Sequence, residues 1–162
     1  MDMKSVNEMN SICKKYGIKN YTIMDDGSID VDGSVDLTSY ELTELPLKFG
    51  VVTWNFFCSQ NNLTTLKGCP REVSGRFTCN HNNLTTLSGS PESVGGHFNC
   101  GSNNLTDLKG SPKSIGDGFD CDGNNLTSLE GSPESVGGSF YCFKNNLTDL
   151  KGSPKSIGGG FY

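Results

Sequence analysis

The sequence predicts a mainly β fold: a parallel solenoid of 21-residue coils behind a small α+β N-terminal cap. Three observations carry this. Aligning the chain on itself at an offset of 21 brings Phe56, Phe77, Phe98, Phe119, Phe140 and Phe161 into one column, with Cys58, Cys79, Cys100, Cys121 and Cys142 two residues later. Leu63 and Leu66 open two further columns, Pro70 and Val73 two more, each continuing through five coils. Self-similarity at a fixed period of this length is the signature of stacked repeats. The composition agrees, because 33% hydrophobic residues and 21 glycines suit thin repeated layers better than one deep core.

The residues also predict the shape of each coil. Phe-x-Cys alternates with period two, so both side chains point inward from a short strand and the residue between them points outward. Asn-Asn then turns the chain, since Asn accepts turn conformations and its amide bonds local backbone. Leu-x-x-Leu fills the next side. Gly-x-Pro and the later Gly pairs turn it twice more without bulk. Stacked in register, the strands make a parallel sheet with coils roughly 4.8 Å apart.

A degenerate first coil is visible in Val35, Leu37, Leu42 and Leu45, each 21 residues before its counterpart. The division is therefore a cap over 1–34 and a solenoid of about six coils over 35–162. In the cap, Ser5 and Glu8 read as a capping box. Val6, Met9, Ile12, Cys13 and Tyr16 form one stripe of a helix over about 5–16, ended by Gly17. Tyr21 to Met24 and Ser28 to Val31 read as a hairpin through Asp25-Asp26-Gly27. The last residues, Phe161-Tyr162, open another strand without a divergent capping sequence, so an open strand edge is expected, with either end-to-end self-association through the C-terminal coil or local fraying of that coil.

Charge and hydropathy remove whole classes of partner. A net charge of -5 and a pI near 4.9 argue against nucleic acid, which is bound by clustered Lys and Arg. No apolar run reaches membrane-spanning length, and the polar stretch Met1 to Asn10 lacks the apolar core of a secretory signal. A cytoplasmic location follows, and the Asn-Leu-Thr sequons at Asn62 and its counterparts read as by-products of the repeat.

The residues that could carry chemistry read as structural. Five of seven cysteines fall in the inward column and none makes a C-x-x-C pair, so reduced core thiols are expected rather than zinc ligands or disulfides. Beta carbons one coil apart are also farther than the roughly 3.8 Å a disulfide prefers. Cys69, replacing the Ser of later coils at a turn, is expected to be reachable by thiol reagents. Asp25, Asp26, Asp30, Asp32 and Asp36 do not meet the calcium-loop pattern in any frame. Asp120 and Asp122 share one strand face as an acid and base would, but solvated carboxylates are the expectation. Arg71, Glu92, Lys113, Glu134 and Lys155 alternate in sign, which predicts ion pairs between neighbouring coils. No catalytic residue, metal or cofactor is expected.

The spacing Phe77-x-Cys79-x-x-Asn82-x-Leu84, kept in later coils, resembles the leucine-rich repeat family. The likeness covers residues 35–162 and is nearest to short-repeat proteins of bacteria and bacteriophages. It departs where the family's first Leu is Ser74, and Gly in the later coils, so loops or short turns replace a helical outer side. The resemblance implies a right-handed parallel solenoid of leucine-rich type and protein recognition through its concave sheet face.

The expected site is the outward side of the strands, where the repeats differ although their frame is kept. Phe57, Thr78, Asn99, Asp120 and Tyr141 stand between Phe and Cys. Asn80, Asp122 and Phe143 follow Cys, and Arg76, His81, His97 and Lys144 lie at the margins. Outward aromatics beside charged groups resemble interface anchors. The expected function is a non-enzymatic protein-binding module, one that blocks a host or competitor protein. The alternatives are the substrate-recognition part of a larger enzyme system and a self-assembling structural component.

Overall fold

The computed structural model describes residues 4–162. Met1, Met3 and the residue between them, part of the polar N-terminal stretch, lie outside the described residues. The chain begins with helix α1 (Val6–Lys15) and a hairpin of β1 (Tyr21–Ile23) and β2 (Ser28–Val31), and then coils. β3 (Val35–Asp36) and β4 (Lys48–Val52) make the first coil of the solenoid, and β5 (Phe56–Phe57), stacked on β3, opens the next. Each later coil adds two short strands: β6 (Glu72–Val73) and β7 (Phe77–Thr78), β8 (Ser93–Val94) and β9 (Phe98–Asn99), β10 (Ser114–Ile115) and β11 (Phe119–Asp120), β12 (Ser135–Val136) and β13 (Phe140–Tyr141), then β14 (Ser156–Ile157).

These strands form two parallel stacks. The Phe strands build a six-stranded sheet in the order β13-β11-β9-β7-β5-β3, each residue paired with the one 21 positions away. A second sheet, absent from the sequence expectation, uses the column of Val52, Val73, Val94, Ile115, Val136 and Ile157. The expectation of loops alone on this side is therefore corrected. Two-residue strands flanked by Ser and Gly read as turns within a coil and become strands only by bonding to the coils on either side. The hairpin joins this sheet, because β2 pairs in parallel with β4.

Between the sheets lies one continuous core. Phe56, Phe77, Phe98, Phe119, Phe140 and Phe161 stack ring on ring, with centroids 5.1 to 5.7 Å apart, and the first five are fully buried. The Leu and Cys columns lie beside them, except in the last coil, where Leu147 is half-buried and Leu150, expected inward, is 56% exposed with no further Leu coil stacked on it. A second stack runs through Asn61, Asn82, Asn103, Asn124 and Asn145. Each amide donates to carbonyls of its own coil and of the preceding one, while its oxygen accepts a backbone N–H one coil back. No buried side-chain nitrogen or oxygen among the described residues lacks a partner.

The N-terminal helix and hairpin form at the residues whose spacing indicated them. Ser5 and Glu8 make the capping box, and Met9 and Cys13 are buried. Val6, expected on the buried stripe, is 58% exposed; the helix begins there, and its buried residues are Met9 and Cys13, one and two turns further on. Among the described residues, no helix is long and apolar enough to cross a membrane.

All seven cysteines are buried and unpaired. Cys58, Cys100, Cys121 and Cys142 each donate S–H to a carbonyl of the next coil. Cys69 corrects its expectation. It is only 9% exposed, turned in beside Cys58 and Cys79, and burial lifts its thiol well above the usual range. The alternating charge column is also realised in one place only. Lys155 meets Glu134 at 3.0 Å, but Arg71 turns to its own neighbour Glu72, and Glu92 and Lys113 form no ion pair. Exposed long side chains gain little from any one partner, so alternation in sequence does not enforce pairing.

Candidate recognition face

The six-stranded sheet sets the candidate residues in rows. Register brings Phe57, Thr78, Asn99, Asp120 and Tyr141 side by side along the solenoid, each half-buried by its neighbours one coil away. Asn80 and Asp122 are half-buried in the row after Cys, and Phe143 is 45% exposed at its end. Ser59 and Gly101 belong to the same row but are buried.

The chemistry of this face changes from one end to the other. Near β5 it is a hydroxyl and amide network, in which Ser59 donates to Asn80 and lies 2.9 Å from the Thr78 hydroxyl. In the middle, the Asn99 and Asp120 side chains accept the N–H of the residue two ahead, Gly101 at 2.9 Å and Asp122 at 3.1 Å. The Asp122 carboxylate lies across Gly101, where any side chain would collide with it. At the far end Tyr141 stacks on Tyr162 with centroids 5.1 Å apart, and the Lys144 ammonium sits 5.7 Å from the Phe143 ring centre.

Asp120 is not the solvated carboxylate expected. Burial pushes its carboxyl up to about 6; the N–H of Asp122 pulls it down, and the Asp122 carboxylate, as charge and hydrogen-bond partner, pushes it up again. The pair is thus held close on a half-buried surface. Two shallow recesses lie elsewhere, one against the helix at Asn7 and Ser11, the other between Lys67 and Ser90.

The four marginal residues divide between two corners. His81 and Lys144 are exposed on the corner after the Phe strand, where every coil turns through a left-handed residue. Arg76 is exposed and His97 half-buried on the corner before it. The His97 imidazole leans over Gly118, where a β-carbon would be 2.7 Å from its Nδ1. Burial lowers its pKa, Asp117 raises it and Arg76 lowers it. The structure therefore brings together the two central rows and leaves the four marginal residues as separate borders.

Comparison with protein-family models, characterised proteins and solved structures finds no match.

One exposed group escaped the sequence reading. Trp54 is 65% exposed, on a corner whose other positions are Gly33, Gly75, Gly96, Asp117, Gly138 and Gly159. The backbone N–H of Trp54 bonds Gly33 and its carbonyl accepts from Gly75, so the indole rises from a glycine ledge. Reading that column, rather than only those beside Cys, would have found it.

Proposed function

We propose that the chain is a non-enzymatic protein-binding module of leucine-rich type. Its partner lies on the outward face of the six-stranded sheet, between Phe57 and Phe143. One observation carries this reading. The inward columns hardly change from coil to coil, while the outward rows run from Phe57 through hydroxyls, amides and carboxylates to the stacked Tyr141 and Tyr162 and the exposed Phe143. Clustered, partly exposed aromatics with a polar border are what a hot spot needs. The spacing Phe-x-Cys-x-x-Asn-x-Leu supports a leucine-rich identity. The resemblance of that spacing to short-repeat proteins of bacteria and bacteriophages, read from the sequence alone, motivates a role in occupying a host or competitor protein. Buried thiols that donate to carbonyls suit a cytoplasmic setting.

The test is capture of partners by the full chain from its native cell, compared with the Tyr141→Ala/Phe143→Ala variant. The variant is expected to keep its circular dichroism and melting temperature and to bind the captured partner more than tenfold more weakly. Undiminished binding by a folded variant would move the site off this face, with the Trp54 corner next to be tested.

A further inference from the structure

The acidic and aromatic parts of the face are neighbours in two rows at once. Asp120 pairs in register with Tyr141, and Asp122 lies 21 residues before Phe143, so the coil that carries the two carboxylates is stacked directly against the coil that carries the two rings. The Tyr141 ring is covered by Tyr162 on the far side, with planes 10° from parallel. Its other face is therefore turned toward the coil of Asp120. No lysine, arginine or histidine among the described residues forms an ion pair with Asp120 or Asp122; the ion pairs all lie elsewhere. The Phe143 ring already holds one cation of its own chain, Lys144.

Resting on the protein-binding reading of this face, we infer that Asp120, Asp122, Tyr141 and Phe143 together receive a cationic side chain of the partner polypeptide, arginine in preference to lysine. A guanidinium donates in a planar fork that spans neighbouring carboxylate oxygens, and its flat face stacks on an aromatic ring. The site offers both groups on neighbouring coils: carboxylates along one and the partly exposed rings of Tyr141 and Phe143 on the next. Each Asp120 oxygen keeps acceptor capacity, since its bonds are one to Asp122 N–H and one to the Asn99 amide at 3.4 Å. A bound cation also offsets the repulsion between two carboxylates held two residues apart on one strand face. The chain's net charge of -5 favours a basic segment over an acidic one. Lysine, a compact and strongly hydrated charge, meets the carboxylates but gains less from the rings.

The experiment is an amide NMR titration of the full chain with three blocked pentapeptides, Gly-Leu-Arg-Leu-Gly and its Lys and Glu counterparts, and with calcium chloride alone. The Arg peptide is expected to shift Asp122, Tyr141 and Phe143 at millimolar concentration, the Lys peptide several-fold more weakly and the Glu peptide not at all. Asp120→Asn/Asp122→Asn, checked for an unchanged fold by circular dichroism, is expected to weaken the Arg peptide at least tenfold. Absent shifts, equal shifts with the Glu peptide, or the same pattern from calcium alone would overturn the inference. The captured partner separates the two readings. Binding that needs Tyr141 and Phe143 but survives Asp120→Asn/Asp122→Asn keeps the face and removes the cation pocket, and binding that survives both variants removes the face.

Discussion

The side-chain oxygen of Asn103 accepts the backbone N–H of Leu84, one coil earlier, at 3.0 Å. Its amide nitrogen meanwhile donates to the carbonyls of Cys79, Cys100 and Gly101 at 3.0 to 3.2 Å. One buried carboxamide thus ties two coils at the corner where the chain leaves the Phe strand. Asn104, the next residue and the same chemical group, is exposed. Asn103→Leu fits the volume but strands an N–H and several carbonyls without water, at a cost of about 1 to 3 kcal/mol for each group left truly unpaired. A loss of about 3 kcal/mol or more is expected in urea denaturation, whereas Asn104→Ala should stay within about 0.5 kcal/mol.

Gly116 tests how closely the coils approach. Its backbone lies so near Gly95 that a β-carbon would fall inside the carbonyl oxygen of that residue, and Gly137 and Gly158 repeat the relation. The glycine requirement here is steric, since Gly116 is not among the residues with a left-handed backbone. Gly116→Ala must push two coils apart. A destabilisation of about 1 to 3 kcal/mol is expected, the usual cost of overpacking. A melting temperature equal to that of the parent would show that the corner yields.

Much of this frame is legible in the sequence, because each coil solves the same packing problem and the answer is written five times. The Phe, Cys and Leu columns, the capping box and the hairpin follow from side-chain chemistry and spacing alone. The glycines that replace the leucine expected at Ser74 and its counterparts were visible too, though their reason, contact with the coil below, was not. The second sheet was hidden because each of its repeated strands offers one inward residue per coil, Val73 and its counterparts, beside Ser or Gly, without the Phe-x-Cys alternation that marks the first sheet.

The site was less legible than the frame. Sequence placed Asp120 on the outward row but gave no sign of its half-burial, which depends on Asn99 on one side and Tyr141 on the other. Cys69 looked like a turn thiol because its counterparts are serines. Its inward rotation beside Cys58 exists only in three dimensions.

That rotation lowers the thiol's reactivity. A thiol reacts as its thiolate, and burial raises Cys69, Cys79, Cys100 and Cys121 well above the usual range, Cys142 by less. Labelling without denaturant, followed by peptide mass spectrometry, is expected to be slow at every position, Cys69 included, although at 9% exposure it is the least covered of the seven. Rapid modification of Cys69 ahead of the rest would return it to the surface.

Asp120 gives a pH dependence whose sign can be fixed. Its folded carboxyl titrates near 6, above the ordinary value of about 3.9, so between those limits the folded chain holds a proton that the unfolded chain has released. Stability from this group is therefore present at pH 4 and below and is lost as pH rises through 6. A shift of two units corresponds to about 2.7 kcal/mol, but solvent reaches a half-buried carboxylate, so about 1 kcal/mol is the expected effect. Asp120→Asn removes the titration while its side-chain oxygen still accepts the Asp122 N–H. The variant should match the parent at pH 4 and exceed it by about 1 kcal/mol at pH 7.5 in urea melts. A difference of the same size at both pH values would assign the effect to packing, and a less stable variant at pH 7.5 would mean that the charged carboxylate is favoured by its surroundings.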